Sequence, residues 1–354
     1  MVLMKEFYHG RRVLVTGHTG FKGAWLCEIL KFLGAQVVGY GLEPPTEPSL
    51  FALADAGRDI VSVIGDIRDG VHLREVFEEN DPEIVIHMAA QPIVRESYRN
   101  PVETYSVNVM GTVNVLECAR NSRSVRSVLN VTTDKVYRNR EWEWGYREED
   151  VLDGYDPYSN SKSCSELVTA SYRRSFFEKN GCSVSTARAG NVIGGGDFAR
   201  DRIVPDCVRH AVKREKIILR NPNSVRPYQF VLDPLFAYLL IAMRQFDDRR
   251  YEGSYNIGPG DDGCMTTGEL ARMFCRIWGE ADWCVRGDDG QHEANMLKLD
   301  CSRFRNVFGW KCDQNLLHAM EQTVELYKAI YEKKGISEIM HRQLEERFEE
   351  LGFS

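Results

Sequence analysis

Two side chains four residues apart, Tyr158 and Lys162, have the chemistry of an acid–base pair. Asp156 and Pro157 precede them and predict a helix start, so both side chains lie on one helical face, one turn apart. An ammonium in this position favours the phenolate and is expected to lower the tyrosine pKa from about 10 towards the working pH. The pair therefore predicts a general base, against the alternative of a solvated helix face.

A polar cluster upstream supports this interpretation. The run at 128–137 begins as an apolar strand and ends in Thr132-Thr133-Asp134-Lys135. Polar groups at the carboxyl end of a parallel strand mark the working edge of such a sheet. The strand end at Thr133 thus strengthens the prediction of a catalytic site.

The glycine-rich run at 13–23 predicts a dinucleotide-binding turn. Its apolar start predicts a buried parallel strand, and its glycines follow the spacing G-x-x-G-x-x-G. Small residues let the backbone approach a pyrophosphate, and unpaired amides at the helix N-terminus face the anion. The alternative is a purely structural turn. The residues expected to contact the coenzyme are Gly17, Thr19, Gly20, Phe21, Lys22 and Gly23.

Strand and helix patterns alternate along the first half of the chain. This alternation predicts an α/β fold with a Rossmann-type, doubly wound parallel sheet. Where such folds usually carry an acid for the adenosine ribose, this chain has Tyr40 and Gly41, so the residues do not separate NAD from NADP. The predicted strands lie at 13–17, 36–40, 60–64, 84–90 and 128–132.

Two strand ends are predicted to contact the coenzyme. After the third strand, Asp66 could accept a hydrogen bond from the adenine amino group with Ile67 beside the ring, or Asp66 could instead cap the next helix. After the fourth strand, Ala89 and Ala90 leave room for a ligand that crosses the sheet. His87, within the same run, is expected to be a hydrogen-bonded core histidine rather than a catalyst.

Length and composition limit the possible functions. The 354 residues are 43% hydrophobic and carry a net charge of −7, which indicates a globular chain without an overall basic surface for nucleic acid. No apolar run approaches the roughly 18 residues of a membrane span, and the first residues do not form a signal peptide, so a cytoplasmic location is expected. The ten cysteines form no C-x-x-C pair, which argues against a zinc site, and no metal is expected.

The second half of the chain is expected to bind the substrate. We predict a dinucleotide-binding domain at 1–188 and a smaller α/β domain at 189–354, with a returning strand at 253–258. The glycine-rich stretch at 190–197 is expected to face the ligand, the alternative being a flexible surface loop. Residues 316–353 are expected to form a solvated closing helix pair.

Two helical segments predict self-association. The segment at 104–119 and the helix that follows Tyr158 are apolar on more than one face. Pairing of these helices across a two-fold axis would cover the extra apolar surface, so we expect a homodimer. The alternative is that both helices are simply buried.

Several stretches resemble one known family. The loop T-G-H-T-G-F-K-G, the strand end T-T-D-K-V-Y, the insertion N-R-E-W-E-W-G-Y-R-E and the helix D-P-Y-S-N-S-K are similar to those of extended short-chain dehydrogenase/reductases that act on nucleotide sugars. Within that group the chain resembles the bacterial CDP-glucose 4,6-dehydratases, from about residue 10 to about residue 330.

The resemblance implies a redox-neutral dehydration of a nucleotide sugar with tightly held NAD. Hydride leaves sugar C4, the C5 proton is removed, water leaves from C6, and the hydride returns to C6. The implied roles are Tyr158 on the 4-hydroxyl proton, Lys162 on the nicotinamide ribose, Thr133 on the 4-oxygen and Asp134 as acid for the C6 hydroxyl.

The resemblance also implies a base that removes the C5 proton. Related deoxythymidine-sugar dehydratases carry glutamate where this chain has Lys135. A lysine acts as a base only if a desolvated, cation-rich site lowers its pKa well below about 10.4. Lys135 is the expected base, and the alternative is that it only orients a hydroxyl.

The resemblance also implies contacts to the substrate. Asn191 matches an asparagine that meets the sugar diphosphate in the family, and Arg202 and Arg226 are candidate partners of the same group because a guanidinium offers bidentate donors. His292 lies in a matching motif and is expected near the nucleotide.

Three alternatives stay open at this point. The first is a dehydratase of a GDP-, UDP- or dTDP-sugar, since the residues do not define the base. The second is an epimerase or reductase, although an epimerase needs no acid aimed at C6, where Asp134 is expected. The third is a non-catalytic dinucleotide sensor, which would not need Tyr158 and Lys162.

Overall fold

The computed structural model describes residues 4–260, 263–286, 296–310 and 315–353. Its strands are β1 (Arg12–Thr16), β2 (Gln36–Gly41), β3 (Val61–Ile64), β4 (Ile84–His87), β5 (Ser127–Val131), β6 (Ser183–Ala189), β7 (Asn191–Ile193), β8 (Ile217–Leu219), β9 (Val225–Phe230), β10 (Ser254–Ile257), β11 (Cys264–Thr266) and β12 (Trp283–Val285).

The helices alternate with these strands along the first half of the chain. They are α1 (Met4–Tyr8), α2 (Phe21–Phe32), α3 (Leu50–Leu53), α4 (Gly70–Asn80), α5 (Val94–Arg99), α6 (Pro101–Tyr105), α7 (Gly111–Asn121), α8 (Pro157–Ser175), α9 (Ile203–Val212), α10 (Leu232–Asp247), α11 (Thr267–Trp278), α12 (Ser302–Phe308), α13 (Leu316–Glu332) and α14 (Ile336–Glu350). Short 3₁₀ turns cover Asp134–Val136, Phe177–Lys179 and Arg249–Tyr251.

A seven-stranded parallel sheet lies at the centre of the protein. Its order is β10-β6-β5-β4-β1-β2-β3, and helices cover both faces. From β1 the chain builds outward through β2 and β3, and then returns to β4 on the other side of β1. The strand order therefore reverses between β1 and β4, and ligands bind at such a switch point in open α/β sheets. The predicted doubly wound fold is confirmed.

All five predicted strands occur in this sheet, but the fourth is shorter than expected. It ends at His87. The N–H of Met88 still donates to the carbonyl of Thr16 at 3.2 Å, but the N–H groups of Met88 and Ala89 also donate to Thr16 Oγ1, each at 3.1 Å. These bonds place Ala89 beside the end of β1. The returning strand predicted at 253–258 is confirmed as β10, which pairs with β6.

The helix predicted at 104–119 is interrupted by a π-helical turn at Ser106–Met110. Within this turn Asn108 binds the backbone of Gln91 through both side-chain atoms, at 2.8 and 3.1 Å, and donates to Ser161 Oγ at 2.9 Å. Such turns are rare and cluster at functional sites. Here the turn ties the strand end after β4 to α8.

Residues beyond 189 build two small sheets and also cover the central one. β7, β9 and β11 form one sheet, and β8 pairs with β12. The apolar helix α10 is buried along most of its length and packs against β5 and β6. The division at residue 188 remains a prediction. Among the described residues, no helix combines the length and the apolar composition that crossing a bilayer requires.

The two closing helices, α13 and α14, are less solvated than expected. One face of each is buried, and Arg347 of α14 forms an ion pair with Asp233 of α10 at 2.6 Å, with side chains only 5% and 3% exposed. Tyr327 of α13 donates to the carbonyl of Asp197 at 2.5 Å. The prediction of a solvated pair is wrong on these inner faces, because both helices cover the apolar core.

Candidate active site

Two glycines of the turn, Gly17 and Gly23, are packed so closely that a side chain would not fit. A methyl group added at Gly17 would lie 2.8 Å from the backbone of Ala89, and one added at Gly23 would lie 2.2 Å from the carbonyl oxygen of Gly17. Gly17 also has a positive φ of 76°. The turn joins the ends of β1 and β4 at the switch point, where a dinucleotide is expected to lie.

Helix α2 begins directly after this turn. Gly20 occupies the N-cap position and provides no side-chain hydrogen bond, so the first amides of the helix have no side-chain cap. A methyl group at Gly20 would be in ordinary contact with the Gly17 carbonyl, at 3.5 Å. Uncapped amides at a helix N-terminus bind anions, so these residues fit the pyrophosphate of a dinucleotide.

The side chains of this turn point in different directions. Thr19 donates to the carbonyl of Leu42 at 2.7 Å, and the ring of Phe21 lies 3.0 Å from the position of a methyl group at Gly194. Lys22 is half-buried and donates to the hydroxyl of Tyr238 at 3.3 Å. Phe21 and Lys22 therefore reach the second half of the protein.

The other predicted coenzyme contacts lie at the same sheet edge. Ile67 is buried against α7, and Ala89 and Ala90 follow β4. The carboxylate of Asp66 pairs with Arg68, with an Nη2–Oδ2 distance of 2.5 Å. The alternative role of Asp66 as a helix cap is wrong, because Asp69 accepts the hydrogen bonds of the Val71 and His72 amides at the start of α4, each at 3.1 Å.

His87 is a core residue, as predicted. Its ring lies between the hydroxyls of Thr16, 2.7 Å from Nδ1, and Thr112, 3.2 Å from Nε2. Burial and, to a smaller extent, the charge of Lys162 together lower the pKa of His87 to about 3, so the ring is neutral near pH 7.

The polar segment after β5 forms one connected group. The Thr133 hydroxyl donates to Asp134 Oδ1 at 3.0 Å, and Lys135 Nζ donates to the same oxygen at 2.8 Å and to Asn191 Oδ1 at 3.2 Å. Asp134 is fully buried, and its Oδ2 has no hydrogen-bond partner among the described residues. The segment thus presents a buried carboxylate with one uncommitted oxygen.

Tyr158 and Lys162 lie in the first turns of α8, whose predicted start is confirmed. Asp156 caps the helix by accepting from the Ser159 amide at 2.9 Å. Lys162 Nζ donates to the carbonyl of Val131 at 3.1 Å, which places it under the end of β5. Burial lowers the pKa of Lys162 to about 8, and the charge of Glu166 opposes this effect.

The expected lowering of the Tyr158 pKa is wrong. Burial raises it to about 12, and a hydrogen bond with Thr133 and the charge of Arg202 lower it by less. The reason is that Lys162 directs its ammonium at the Val131 carbonyl, while the phenol loses contact with water. The nearby carboxylate of Asp134 also disfavours the phenolate.

The glycine-rich stretch at 190–197 is not a flexible surface loop. Trp25 Nε1 donates to the carbonyl of Gly195 at 3.2 Å, and a methyl group at Gly195 would lie 2.5 Å from Leu326. Asn191 and Asp197 at the two ends of the stretch bind Lys135 and Arg202, respectively.

The predicted substrate residues occupy different positions around this stretch. Arg202 donates to Asp197 Oδ2 at 2.8 Å, and its charge also acts on Tyr158 and Lys22. Arg226 is buried at the start of β9 and donates to the carbonyl of Val225 at 2.8 Å. His292 lies outside the described residues.

Two further residues of the site were not predicted from the sequence. Tyr238 lies in the apolar helix α10, where no sequence signal marks it. Its hydroxyl binds Lys22, and the charges of Tyr158 and Asp134 act on it. Glu166 continues the spacing of four that joins Tyr158 and Lys162, and this periodicity could have revealed it.

A sequence profile of the NAD dependent epimerase/dehydratase family matches residues 13–258. The chain belongs to this family. It is 46% identical over 351 residues to the CDP-glucose 4,6-dehydratase of Salmonella typhimurium, and the match covers 95% of this chain and 98% of the relative. The predicted resemblance is therefore confirmed.

Solved structures of the same family share the fold. A UDP-glucose 4-epimerase from Thermus thermophilus in complex with NAD matches with a TM-score of 0.77 and 25% identity, over 90% of this chain and 99% of the other. A dTDP-glucose 4,6-dehydratase from Bacillus anthracis in complex with NAD matches with a TM-score of 0.75 and 22% identity, over 92% and 97%. These similarities agree with the predicted NAD cofactor.

The last two glycines of the turn should respond differently to substitution. Gly23→Ala forces a methyl group onto the Gly17 carbonyl and should lower the free energy of unfolding by about 2 kcal/mol. Gly20→Ala has room in the fold but fills the space before the helix N-terminus. It should keep the melting temperature and weaken NAD binding by about tenfold. Thermal unfolding and calorimetric titration with NAD measure the two effects, and unchanged NAD binding in Gly20→Ala would contradict this assignment.

Proposed function

We propose that this protein dehydrates CDP-glucose to CDP-4-keto-6-deoxyglucose with bound NAD. The observation that carries the proposal is the Thr133-Asp134-Lys135 group, in which a buried carboxylate keeps one oxygen free of hydrogen bonds among the described residues. Elimination of water needs such an acid, whereas epimerisation does not. The identity to a CDP-glucose 4,6-dehydratase supports the choice of CDP-glucose.

The coenzyme fits the switch point between β1 and β4. Bound NAD would accept the C4 hydride, return it at C6, and bring a positive ring that lowers the pKa of Tyr158. The residues proposed to hold it are Gly17, Thr19, Gly20, Phe21, Lys22, Gly23, Asp66, Ile67, Ala89, Ala90, Tyr158 and Lys162.

In the first step Tyr158 removes the proton of the sugar 4-hydroxyl. Thr133, which hydrogen-bonds the Tyr158 hydroxyl, is placed to bind the same sugar oxygen. Lys162, fixed by the carbonyl of Val131, binds the nicotinamide ribose. These three side chains serve oxidation at C4.

The elimination uses Asp134 and Lys135 as a coupled pair. Their hydrogen bond of 2.8 Å allows one proton to move from Nζ to the carboxylate, which gives a neutral amine and a carboxylic acid. The amine then takes the C5 proton while the acid protonates the C6 hydroxyl, which leaves as water. This step restores the ammonium and the carboxylate. When the hydride returns to C6, the Lys135 ammonium gives a proton back to C5, and the proton that Tyr158 took from the 4-hydroxyl then passes to the Lys135 amine, so every group regains its starting state.

The substrate diphosphate is proposed to bind between the two halves of the protein. Asn191 and Arg202 lie at either side of the stretch at 190–197, next to Lys135 and Tyr158. Arg226 and His292 are proposed to bind the nucleotide part of the same ligand. Binding at Arg202 would replace part of its pairing with Asp197.

A homodimer and a cytoplasmic location complete the proposal. α6, the π-helical turn and α8 pack together and expose Val102, Met110 and Leu167, which are 83%, 53% and 56% accessible. Pairing with the same surface of a second copy would bury these side chains. The cytoplasmic location remains a prediction from the sequence.

Substrate preference tests the proposed function directly. Of the CDP-, UDP-, GDP- and dTDP-glucose forms, we expect CDP-glucose to have the highest kcat/KM, by at least about tenfold. The ultraviolet absorbance that alkali induces in a 4-keto sugar measures the product. If only another nucleotide sugar is turned over, the assignment of CDP-glucose as substrate is wrong, while the assigned reaction stands. If the sugar is epimerised without loss of water, the assignment as a dehydratase is wrong.

The role of Lys135 can be separated from that of Lys162. Lys135→Met should keep oxidation at C4 but slow elimination by about a thousandfold, because the C5 base is missing. Lys162→Met, the matched change of the other lysine, should slow both steps. The fluorescence of reduced nicotinamide reports the first step and the 4-keto product the second. Elimination at the normal rate in Lys135→Met would leave it only the role of orienting a hydroxyl.

The proposed dimer interface on α6, the π-helical turn and α8 can be tested by introducing charged residues. Met110→Lys combined with Leu167→Lys should shift the protein from dimer to monomer at micromolar concentration, because two charges would be buried at the interface. Val71→Lys, at a residue that is 67% exposed on α4, is the matched control and should keep the dimer. Sedimentation velocity distinguishes the species, and a double variant that stays dimeric contradicts this interface.

A further inference from the structure

Glu166 is a buried carboxylate that the proposed mechanism does not use. It is 2% exposed and lies one helical turn beyond Lys162 on α8. Tyr158, Lys162 and Glu166 follow one another at intervals of four residues, so they form one row along the helix. The row runs from the sheet edge, where the chemistry is proposed, into the interior.

Three donors hold the carboxylate of Glu166. The Thr132 hydroxyl donates to Oε1 at 2.5 Å, and the Thr186 hydroxyl and Arg188 Nη2 donate to Oε2 at 2.7 and 2.9 Å. Arg188 is itself 3% exposed. Burying such a pair is expensive unless hydrogen bonds satisfy it, and this arrangement supplies them.

The same pair fixes both ends of the catalytic segment. Thr132, which binds Glu166, directly precedes Thr133. At the other end, Arg188 Nη1 donates to the hydroxyl of Tyr137 at 2.8 Å and to the carbonyl of Glu148 at 2.9 Å. The segment at 132–137 is therefore held from behind at its first and last residues.

Glu166 also acts on the charge of Lys162. Burial lowers the pKa of Lys162 to about 8, and the carboxylate raises it. Other titratable or charged groups around Lys162 are Tyr158 on α8, Lys22 on α2, His87 on β4 and Arg188 on β6 behind Glu166. Arg188 is cationic, Lys22 carries a positive charge only below its lowered pKa of about 7, and His87 is neutral, so none of these three groups stabilises the ammonium.

We propose that Glu166 is a positioning residue for the reaction, holding Lys162 as an ammonium and anchoring the segment that carries Thr133, Asp134 and Lys135. The inference rests on the proposed function, because its effect on catalysis passes through Lys162. A residue that served only stability would not change the protonation of Lys162.

Replacement of the charge at constant size tests this role. Glu166→Gln should move the alkaline limb of the kcat/KM profile for CDP-glucose about one pH unit lower, because Lys162 loses its proton more readily. Glu166→Asp keeps the charge on a side chain that is one methylene shorter. The alkaline limb of its kcat/KM profile should therefore fall between the limbs of Glu166→Gln and the unchanged protein. If Glu166→Gln does not fold, the Glu166→Asp profile alone decides, and a limb equal to that of the unchanged protein overturns the proposal.

A direct titration of Lys162 separates this inference from the proposed function. Carbon-13 at lysine Cε reports the charge of each lysine by NMR, without substrate, and Lys162→Met assigns the signal. The pKa of Lys162 should fall in Glu166→Gln whether or not CDP-glucose is turned over. If the unchanged protein turns over no nucleotide sugar, the proposed function fails and this titration still decides the role of Glu166.

The matched control is Asp233→Asn, which removes the carboxylate of the buried pair with Arg347, away from Lys162. This variant should lose stability and keep both the alkaline limb and the Lys162 titration. A Glu166→Gln protein that behaves in the same way, less stable but with unchanged Lys162 titration, would show a merely structural role and overturn the proposal.

Discussion

Desolvation of charged side chains at the carboxyl edge of the sheet is the constraint on which the site depends. Burial lowers the pKa of Lys22 to about 7 and that of Lys162 to about 8, and it raises the pKa of Tyr158 to about 12. Each shift disfavours the charged form of the group. The protein must therefore supply partners wherever a charge is needed, and these partners come from several elements.

The partners join the two halves of the chain. Asn191 of β7 accepts from Lys135, which follows β5, and Tyr238 of α10 accepts from Lys22 of α2. Asp197 connects Arg202 with Tyr327 of α13. A site assembled in this way needs the two halves of the chain to be held firmly together. The chain returns to the central sheet at α10 and β10, and this packing joins the two halves.

Features set by neighbouring residues could be predicted from the sequence. The glycine turn, the strands and the cap of α8 depend on local spacing, and Tyr158 and Lys162 share a face because a helix has a fixed period. The π-helical turn could not be predicted in this way, because it depends on contacts of Asn108 with Gln91 and with Ser161 of another helix.

Contacts between residues far apart in the chain account for most of the other differences between the structure and the predictions from the sequence. The direction of the Tyr158 pKa depends on how deeply the finished fold buries the phenol, which local spacing does not reveal. The buried face of α14 depends on Asp233, which is 114 residues from Arg347 in the chain. Local spacing allowed Asp66 as the cap of α4, but in the structure Asp66 pairs with Arg68 and Asp69 caps the helix.

The two lysines nearest to Asp134 show why burial alone does not make a base. Lys22 meets the condition of a desolvated, cation-rich site, but its partner is the phenol of Tyr238, whose pKa burial raises further. Lys135 is 29% exposed and bonded to a carboxylate. In the mechanism that we propose, it becomes an amine when its proton passes to Asp134, and the same transfer creates the acid that the departing hydroxyl requires. Acid and base would then arise together from one hydrogen bond, which would let a lysine serve as the C5 base.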